Sequence, residues 1–307
     1  MMRSIANRFA GWGLALVVAA LPALVLAAPA KFPSAEAAAD AFVDAVARSD
    51  GDAMRRILGP NYKKVLRLEE VQQEDKLDFL EAWAKTHRVT PRGDKVAVLE
   101  VGETNWSLPI PIVKSGDAWI FDVPAGADEM RTRRIGRNEL AAMEAVLAYF
   151  DAQREYVQQE RVPGQGRAYA QRLRSTPGKK DGLYWDTAPG EPVSPIGPAY
   201  DVLDREGAYH GYYFRILTGQ GPSASGGGYD YINKGRMNAG FALIAWPARY
   251  GDSGIMTFMV NHDGVVFEKN LGPNTGAVAR QIRRFDPDAG WTAVVPASAL
   301  AAGGTKK

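Results

Sequence analysis

Apolar residues in the first half of the chain recur first at helical and then at strand spacing. Four of them, three or four positions apart, form one face of a first predicted helix: Ala38, Phe42, Val43 and Val46. Ser34 lies just before them and is a suitable N-cap, because its side chain can accept a hydrogen bond from a free backbone N–H group. Two further helices are predicted at 54–58, ending at Gly59-Pro60, and at 69–86.

The next segment has the two-residue period and the β-branched and aromatic residues of strands. Three strands are predicted, at 95–101, 106–113 and 118–123, separated by glycine, proline and a Ser-Gly-Asp turn. Helices followed by antiparallel strands are typical of an α+β unit. We therefore expect a first domain over residues 29–125, in which helices accompany a curved antiparallel sheet.

The second half begins with one long helical pattern, from about Arg131 to about Gln159, after a predicted hinge at 125–127. At a rise of about 1.5 Å per residue, a helix of about 20 residues is about 30 Å long. Six residues form its predicted apolar stripe: Leu140, Met143, Leu147, Phe150, Tyr156 and Val157. Five residues form its predicted solvent side: Glu139, Asp151, Arg154, Glu155 and Gln158.

Strand patterns return after residues 160–200, which we interpret as ordered loops. Four strands are predicted: 212–218, 240–245, 254–260 and 265–269. The glycine-rich segment 220–228 is predicted to be a flexible tip, and Asn261–Gly264 a tight turn. A long helix leading into an antiparallel sheet is again α+β, so we expect a second domain over 126–296 and a disordered tail over 297–307.

The first 28 residues have the layout of a cleavable secretory signal. Arg3 and Arg8 precede an uncharged apolar stretch, and small residues follow at its end. Pro22 interrupts this stretch, whereas a retained membrane anchor needs about 20 apolar residues. We expect cleavage near Ala28 or Pro29, no stable transmembrane segment afterwards, and a location in the periplasm or outside the cell.

Charge and cysteine content argue against several classes of function. The chain has 37 basic and 35 acidic residues, and removing the signal with Arg3 and Arg8 leaves 35 of each. A nucleic-acid partner, which requires a clustered basic face, is therefore not expected. Because the chain contains no cysteine, disulfides and thiolate metal sites are excluded. No cofactor is expected.

No combination of residues matches a complete catalytic or metal motif. Gly251-Asp-Ser-Gly resembles the loop around the nucleophile of trypsin-like proteases, but a triad needs a partner histidine and carboxylate, and the flanking pattern of those proteases is absent. His87, His210 and His262 are widely spaced and match no metal motif. We therefore assign no catalytic and no metal-ligating residue.

Aromatic residues in the loops of the second half are the best candidates for contact with a ligand. Five residues are predicted to bind it: Tyr184, Trp185, Tyr209, His210 and Trp246. Asp181, Asp186 and Glu191 would suit a glycosidase if two carboxylates faced each other across a sugar, or they form turns beside buried rings. Four basic residues around Thr176-Pro-Gly are compatible with an anion site or a solvated loop: Arg172, Arg174, Lys179 and Lys180.

Several segments together resemble the exported bacterial family known as domain of unknown function 2950. They include Arg134-Ile-Gly-Arg-Asn-Glu-Leu, Ser175-Thr-Pro-Gly-Lys-Lys-Asp-Gly-Leu-Tyr-Trp and Met256-Thr-Phe-Met-Val-Asn-His-Asp-Gly. Other matching segments are 32–37, 149–156, 210–217, 240–251 and 285–291, so the resemblance covers about residues 32–292. That family has no assigned activity to carry over.

Each half also resembles a known fold. The first half, closed by a strand with Trp119 and Phe121, looks like nuclear transport factor 2-like domains, which include both enzymes and binding modules. The second half, with its helix ending at 152–156 and the segments 211–216 and 258–266, is similar to globular heads of type IV pilin-like proteins. The hydrophobic stem of such proteins is missing here, so the resemblance implies a head without its polymerising part.

Two functions from different classes are consistent with these residues. The first is a non-enzymatic envelope protein that binds another envelope protein or a glycan through its aromatic loops. The second is a hydrolase of an envelope glycan or peptide that uses Asp181 or His210. A hydrolase would require a deep pocket within 175–215 that strongly shifts the pKa of an ionisable group. Tyrosine and tryptophan enrich binding surfaces without implying turnover, so we favour the first.

Overall fold

The computed structural model describes residues 29–68, 71–161, 164, 166–198, 200 and 207–294. The predicted signal peptide and the predicted C-terminal tail lie outside these residues. The chain forms two compact units that divide between Ala125 and Gly126, and each is described by itself. Both contain helices and antiparallel sheets, so the predicted α+β class is confirmed.

Four helices begin the first unit: α1 (Ala35–Ala47), α2 (Gly51–Leu58), α3 (Tyr62–Leu66) and α4 (Gln73–Lys85). α1 is the predicted first helix, and the Ser34 hydroxyl caps it by accepting a hydrogen bond from the Ala37 backbone N–H at 3.1 Å. α3 was not predicted, because five residues are too few to display a helical period. α4 begins four residues later than the predicted helix, and none of its residues is fully buried.

Five strands form the sheet of the first unit: β1 (His87–Pro91), β2 (Val96–Val101), β3 (Trp106–Ser107), β4 (Ile112–Ser115) and β5 (Ala118–Phe121). Their order is β1-β2-β4-β5, with β3 paired to β2, and every pair is antiparallel. The predicted strand 106–113 is two strands here. Pro109 and Pro111 lie between them and lack the backbone N–H that a sheet ladder requires.

β1 was missed because its side chains are mostly polar. Arg88 and Thr90 donate hydrogen bonds of 2.7 and 2.9 Å to the carboxylate of Glu100, which is buried on β2. These bonds, with that of Arg88 first, hold the pKa of Glu100 below its ordinary value. One face of the sheet is therefore polar and internally paired. On the other face, Leu99 is buried in the core. The side chains of β1 are neither all apolar nor alternately apolar and polar, so they lack the pattern that predicts a strand.

One long helix and a second sheet dominate the second unit. The helix is α5 (Val123–Tyr156), and the sheet contains β6 (Tyr212–Leu217), β11 (Ala242–Pro247), β12 (Met256–Asn261), β13 (Val266–Asn270) and β14 (Thr292–Val294). The strand order is β14-β13-β12-β11-β6, and every pair is antiparallel. The remaining elements are small: β7 (Gly219–Gln220), β8 (Tyr229–Asp230), β9 (Ile232–Asn233), β10 (Arg236–Met237) and α6 (Thr275–Gln281).

The four predicted strands of this sheet are confirmed, and their ends differ from the predicted ends by no more than two residues. The predicted turn Asn261–Gly264 joins β12 to β13. Segment 220–228, predicted to be a flexible tip, is instead anchored to the core. The side chain of Gln220 is buried and donates to the carbonyl oxygens of Ser225 and Gly227 at 2.6 and 2.8 Å. The segment is held in place because the buried amide of Gln220 bonds to carbonyl groups of the same loop.

The apolar stripe predicted for α5 is confirmed for Tyr156, which is buried, and for Met143, Leu147 and Phe150, which pack against the core, but it is wrong for Leu140. Leu140 is 57% exposed, while the residues of the helix that enter the core are Ala142, Ala145, Val146, Tyr149, Ala152 and Tyr156. Alanines lie on the buried side because a helix approaches a sheet more closely where its side chains are small. The helix also begins at Val123, so the segment 125–127, predicted to be a hinge, is helical.

The two faces of the second sheet have different coverings. Directly opposed residues share a face and neighbours alternate, so Tyr212, Phe258 and Glu268 lie on one face, next to Glu139 of α5. Arg215 lies on the other face, where its guanidinium donates to the carbonyl oxygen of Ala279 in α6 at 2.8 Å and also to that of Ile282. The sheet is thus packed between α5 and α6.

Candidate functional site

The Gly251-Asp-Ser-Gly segment is a structural turn. The hydroxyl of Ser253 donates to the carbonyl oxygen of Gly211 at 2.8 Å and accepts from the backbone N–H of Arg249 at 2.9 Å. Ser253 itself is buried. Among the described residues the hydrogen bonds of this hydroxyl are to backbone groups and none is to a histidine, so the geometry of a serine nucleophile is not assembled there.

Helix α5 holds this same turn through the Arg134-Ile-Gly-Arg-Asn-Glu-Leu segment. Arg134 pairs with the carboxylate of Asp252 at 2.8 Å, and Asn138 donates to the carbonyl oxygen of Ser253 at 2.8 Å. The carboxylate of Glu139 accepts the backbone N–H groups of Ile255 and Met256 at 2.8 and 3.0 Å. Glu139 was predicted on the solvent side and this is wrong, because its carboxylate replaces missing sheet partners at the start of β12.

The three histidines lie in unrelated places. His87 stacks on Trp83 at 3.6 Å between ring centres, with its Nδ1 2.9 Å from the Trp83 carbonyl oxygen at the end of α4. His210 is exposed at φ 45° in the two-residue turn between Tyr209 and β6. Within the described part of the chain no group of three or more histidine and carboxylate side chains could hold a metal ion.

His262 lies in the β12–β13 turn and packs among aromatic rings. Its Nε2 is 3.2 Å from the Tyr229 hydroxyl, and its ring is 5.5 Å from that of Tyr231 in an edge-to-face contact. A Cβ atom at Gly240 would lie 2.8 Å from Nδ1 of His262, so the absence of a side chain at Gly240 makes room for the imidazole. The contacts describe a partly buried histidine that packs against aromatic side chains.

In the loop around Thr176, which the sequence offered as an anion site, a carboxylate of the same loop accepts the hydrogen bonds. The carboxylate of Asp181 accepts the backbone N–H and the hydroxyl of Thr176 at 2.7 and 2.9 Å. Burial by itself raises the pKa of Asp181, but the hydrogen bonds from Thr176 outweigh it and hold the pKa below its ordinary value. Asp186 instead accepts from the Tyr184 hydroxyl at 2.9 Å and pairs with Arg174 at 3.1 Å. Each of these two carboxylates therefore bonds to groups of its own loop.

The five residues predicted to bind a ligand fall into three places. Tyr184 and Trp185 follow each other in the 175–186 loop, where Arg174 lies over the Tyr184 ring and Arg161 and Lys180 lie over the Trp185 ring. Tyr209 and His210 contact each other edge to face at 4.4 Å before β6. Trp246 lies in β11 beside Tyr213, with ring centres 5.9 Å apart. Across the described residues, no ring contact joins these three places.

A cleft of about 420 Å³ lies against α6, on the sheet face that carries Arg215, and is called the α6 cleft below. Apolar side chains line it: Met259, Leu271, Val278, Ile282 and Trp291. Charged side chains complete it: Lys269, Arg283, Arg284, Asp286 and Asp288. The volume lies in the lower part of the range of about 300–1,000 Å³ that is typical of small-molecule pockets.

The charges of the α6 cleft are mostly paired. Lys269 pairs with Asp288 at 3.1 Å, and Arg284 with Asp230 at 2.5 Å. Among the described residues Arg283 has neither a hydrogen bond nor an ion pair. The backbone N–H of Gly290, and then Lys269, hold the pKa of Asp288 below its ordinary value, so this carboxylate is ionised near neutral pH.

The α6 cleft was not predicted from the sequence. Its residues come from β12, β13, the β13–α6 connection, α6 and the segment after α6, and no local pattern connects these five places. One signal in the sequence could have indicated the cleft. Two adjacent cations, Arg283 and Arg284, lie close to the aromatic residue Trp291 and outside any helix. None of the cleft residues lies in the 175–215 segment in which a hydrolase pocket was expected.

Comparison with known proteins gives one match. A family model described as a protein of unknown function (DUF2950) matches residues 30–294. No curated protein and no solved structure matches the chain. The resemblances to nuclear transport factor 2-like domains and to pilin-like heads therefore have no support from solved structures. In the described part of the chain, no helix combines the length and the apolar character that crossing a membrane requires.

Proposed function

Because the chain belongs to the DUF2950 family, whose description assigns no activity, we propose from its site and its sequence that it is an exported, non-enzymatic protein that binds a small ligand. One observation carries the proposal: the α6 cleft combines apolar walls with three basic and two acidic side chains in a volume suited to a small molecule, and Arg283 is the basic side chain there without an ion pair among the described residues. The ligand class that fits has an apolar part and a negative charge.

Binding rather than hydrolysis is favoured by what the candidate catalytic groups do. The Ser253 hydroxyl is held by backbone groups of Arg249 and Gly211, and the Asp181 carboxylate by the backbone N–H of Thr176. His210 points from an exposed hairpin turn and contacts Tyr209. A general acid or base must reach a substrate in a pocket, and none of these groups lines the α6 cleft.

Export is proposed from the basic and apolar pattern of residues 1–28. We expect the protein isolated from its native cells to begin near Ala28 or Pro29 and to be recovered in the periplasmic or secreted fraction. Mass spectrometry of the intact protein in each cell fraction measures both properties. An intact form that begins at Met1 and stays in the cytosol would contradict the proposed location.

The cleft is tested with an anionic apolar dye, 8-anilinonaphthalene-1-sulfonate, titrated into the mature protein. Val278 lines the cleft at 39% exposure, while Val265 has nearly the same exposure, 41%, and does not line it. Val278→Asp removes apolar surface and adds a repelling charge, so we expect dye affinity to fall about tenfold, equivalent to about 1.4 kcal/mol. Val265→Asp, the matched control, should leave the affinity unchanged; equal effects of the two substitutions would reject the cleft as the binding site.

A further inference from the structure

Arg283 differs from the other charged residues that line the α6 cleft, because its charge is not paired. It directly follows Ile282 and is exposed, and among the described residues it has neither a hydrogen bond nor an ion pair. The lining contains three basic and two acidic residues, so its formal charge is three minus two, or +1. An unpaired arginine at a protein surface is common by itself, so its role depends on its neighbours.

Lys269 and Asp288 compensate each other's charge. The ammonium and the carboxylate lie 3.1 Å apart, and the ammonium also lies 5.7 Å from the centre of the Trp291 ring. Because the pKa of Asp288 is below its ordinary value, this carboxylate is ionised near neutral pH and the pair has no net charge. A ligand anion that competed for Lys269 would have to displace Asp288 first.

Arg284 and Asp286 fasten the segment after α6 to the loop that begins at Gln220. The guanidinium of Arg284 pairs with the carboxylate of Asp230 at 2.5 Å and donates to the carbonyl oxygen of Gln220 at 3.1 Å. The carboxylate of Asp286 accepts the backbone N–H of Ser223 at 2.8 Å. Both side chains are therefore engaged within the protein, and Arg283 is the cation of the lining that is available to a ligand.

A second guanidinium, that of Arg215 on β6, lies close to the backbone of Arg283. It donates to the carbonyl oxygens of Ala279 and Arg280 at 2.8 and 3.0 Å, at the end of α6. It also donates to the carbonyl oxygen of Ile282, which directly precedes Arg283. The last carbonyl groups of a helix have a partial negative charge that repels anions, and these bonds compensate it. Burial first, and then the charge of Arg283, lower the pKa of Arg215, so an anion beside Arg283 is attracted by both cations.

We propose that Arg283 determines the specificity of the α6 cleft, by pairing with the single negative charge of a ligand that has an apolar tail. This inference rests on the proposed function, since it names the recognition residue and the ligand class of the same cleft. A guanidinium binds a carboxylate through two parallel N–H···O bonds, so a carboxylate with an alkyl tail is the simplest such ligand. Val278 and Ile282 both line the cleft and Arg283 follows directly, so the apolar and the charged parts of the lining are continuous.

Calorimetric titration of the mature protein with octanoate, octanol and octylammonium tests the inference, because the three probes share one tail and differ in head group. A salt concentration of about 0.15 M screens charges beyond about 8 Å, so the titration reports local pairing. We expect octanoate to bind about fivefold more tightly than octanol, and octylammonium to bind most weakly. Arg283→Gln removes the charge of an exposed side chain, so the fold persists. It should weaken octanoate about fivefold and leave octanol unchanged.

Arg280→Gln is the matched control, since Arg280 is exposed in the last turn of α6 and does not line the cleft. It removes the same charge and should change both affinities by less than about twofold. If octanoate binds no more tightly than octanol, or if Arg283→Gln weakens octanoate no more than Arg280→Gln does, the inference is overturned while the cleft remains a binding site. If neither compound binds and Val278→Asp leaves dye binding unchanged, the proposed function fails, and the inference fails with it.

Discussion

Replacing Gln153 with leucine is expected to lower the free energy of unfolding by about 2–5 kcal/mol. Gln153 is completely buried on α5. Its amide donates to the Ala170 carbonyl oxygen and accepts from the Ala170 N–H, both at 2.8 Å, and also donates to the Tyr149 hydroxyl at 3.0 Å. Leucine has a similar size but leaves the Ala170 backbone unpaired in the core, which costs about 1–3 kcal/mol for each group.

Gln158→Leu is the matched control for this substitution. Gln158 follows α5 and is exposed, and its amide donates only to the Arg154 carbonyl oxygen. We expect the control to change the stability by less than about 0.5 kcal/mol. Urea unfolding followed by near-ultraviolet circular dichroism compares the two variants. A Gln153→Leu midpoint equal to that of Gln158→Leu would show that the amide does not hold the 167–173 segment on the helix.

Replacing Gly254 with alanine is expected to destabilise the protein by about 1–3 kcal/mol through overpacking. A Cβ atom there would overlap the Tyr212 hydroxyl and lie 2.6 Å from two carbons of its ring. Tyr212 is fully buried and its hydroxyl donates to the Met256 carbonyl oxygen at 2.9 Å, so the ring cannot move aside without breaking that bond. The turn held by Arg134, Asn138 and Glu139 would open at the same time.

Gly136→Ala is the control, because Gly136 lies in α5 and a Cβ atom there meets nothing within 4 Å. Alanine in a helix interior is favoured over glycine by about 0.5–1 kcal/mol, so this variant should be more stable than the original protein. Thermal unfolding by calorimetry measures both variants. Equal stability of Gly254→Ala and the original protein would mean that the turn rearranges freely, contrary to the contacts described.

Secondary structure with a strong local pattern was predictable from the sequence. The strands β11 and β12 are runs of apolar residues bounded by glycine and turn residues, and α1 has both a cap and a clear period. β1 was missed because its polar residues are paired with a buried carboxylate of another strand. The buried alanines of α5 were missed because alanine carries little hydrophobic signal, although its small side chain permits close packing.

Function was less predictable, because its residues are close in space and distant in sequence. The segments that carry the family resemblance are partly architectural: the 134–140 segment fastens α5 to the 249–256 turn. Trp246 was predicted as a ligand contact from its aromatic character alone, and this stays a prediction. The lining of the α6 cleft depends on strand register and on the segment after α6, which a local pattern does not encode.

The most direct test of the proposed cleft and its ligand is the indole N–H region of a ¹H–¹⁵N spectrum of the mature protein during titration with octanoate. Each tryptophan contributes one signal, and single Trp→Phe variants assign them. We predict that the signal of Trp291, which lines the α6 cleft, shifts along a saturation curve, while those of Trp83, Trp106, Trp119 and Trp185 do not. Shifts confined to Trp185, or to Trp83 and Trp106, with the Trp291 signal unchanged, would contradict the proposed cleft.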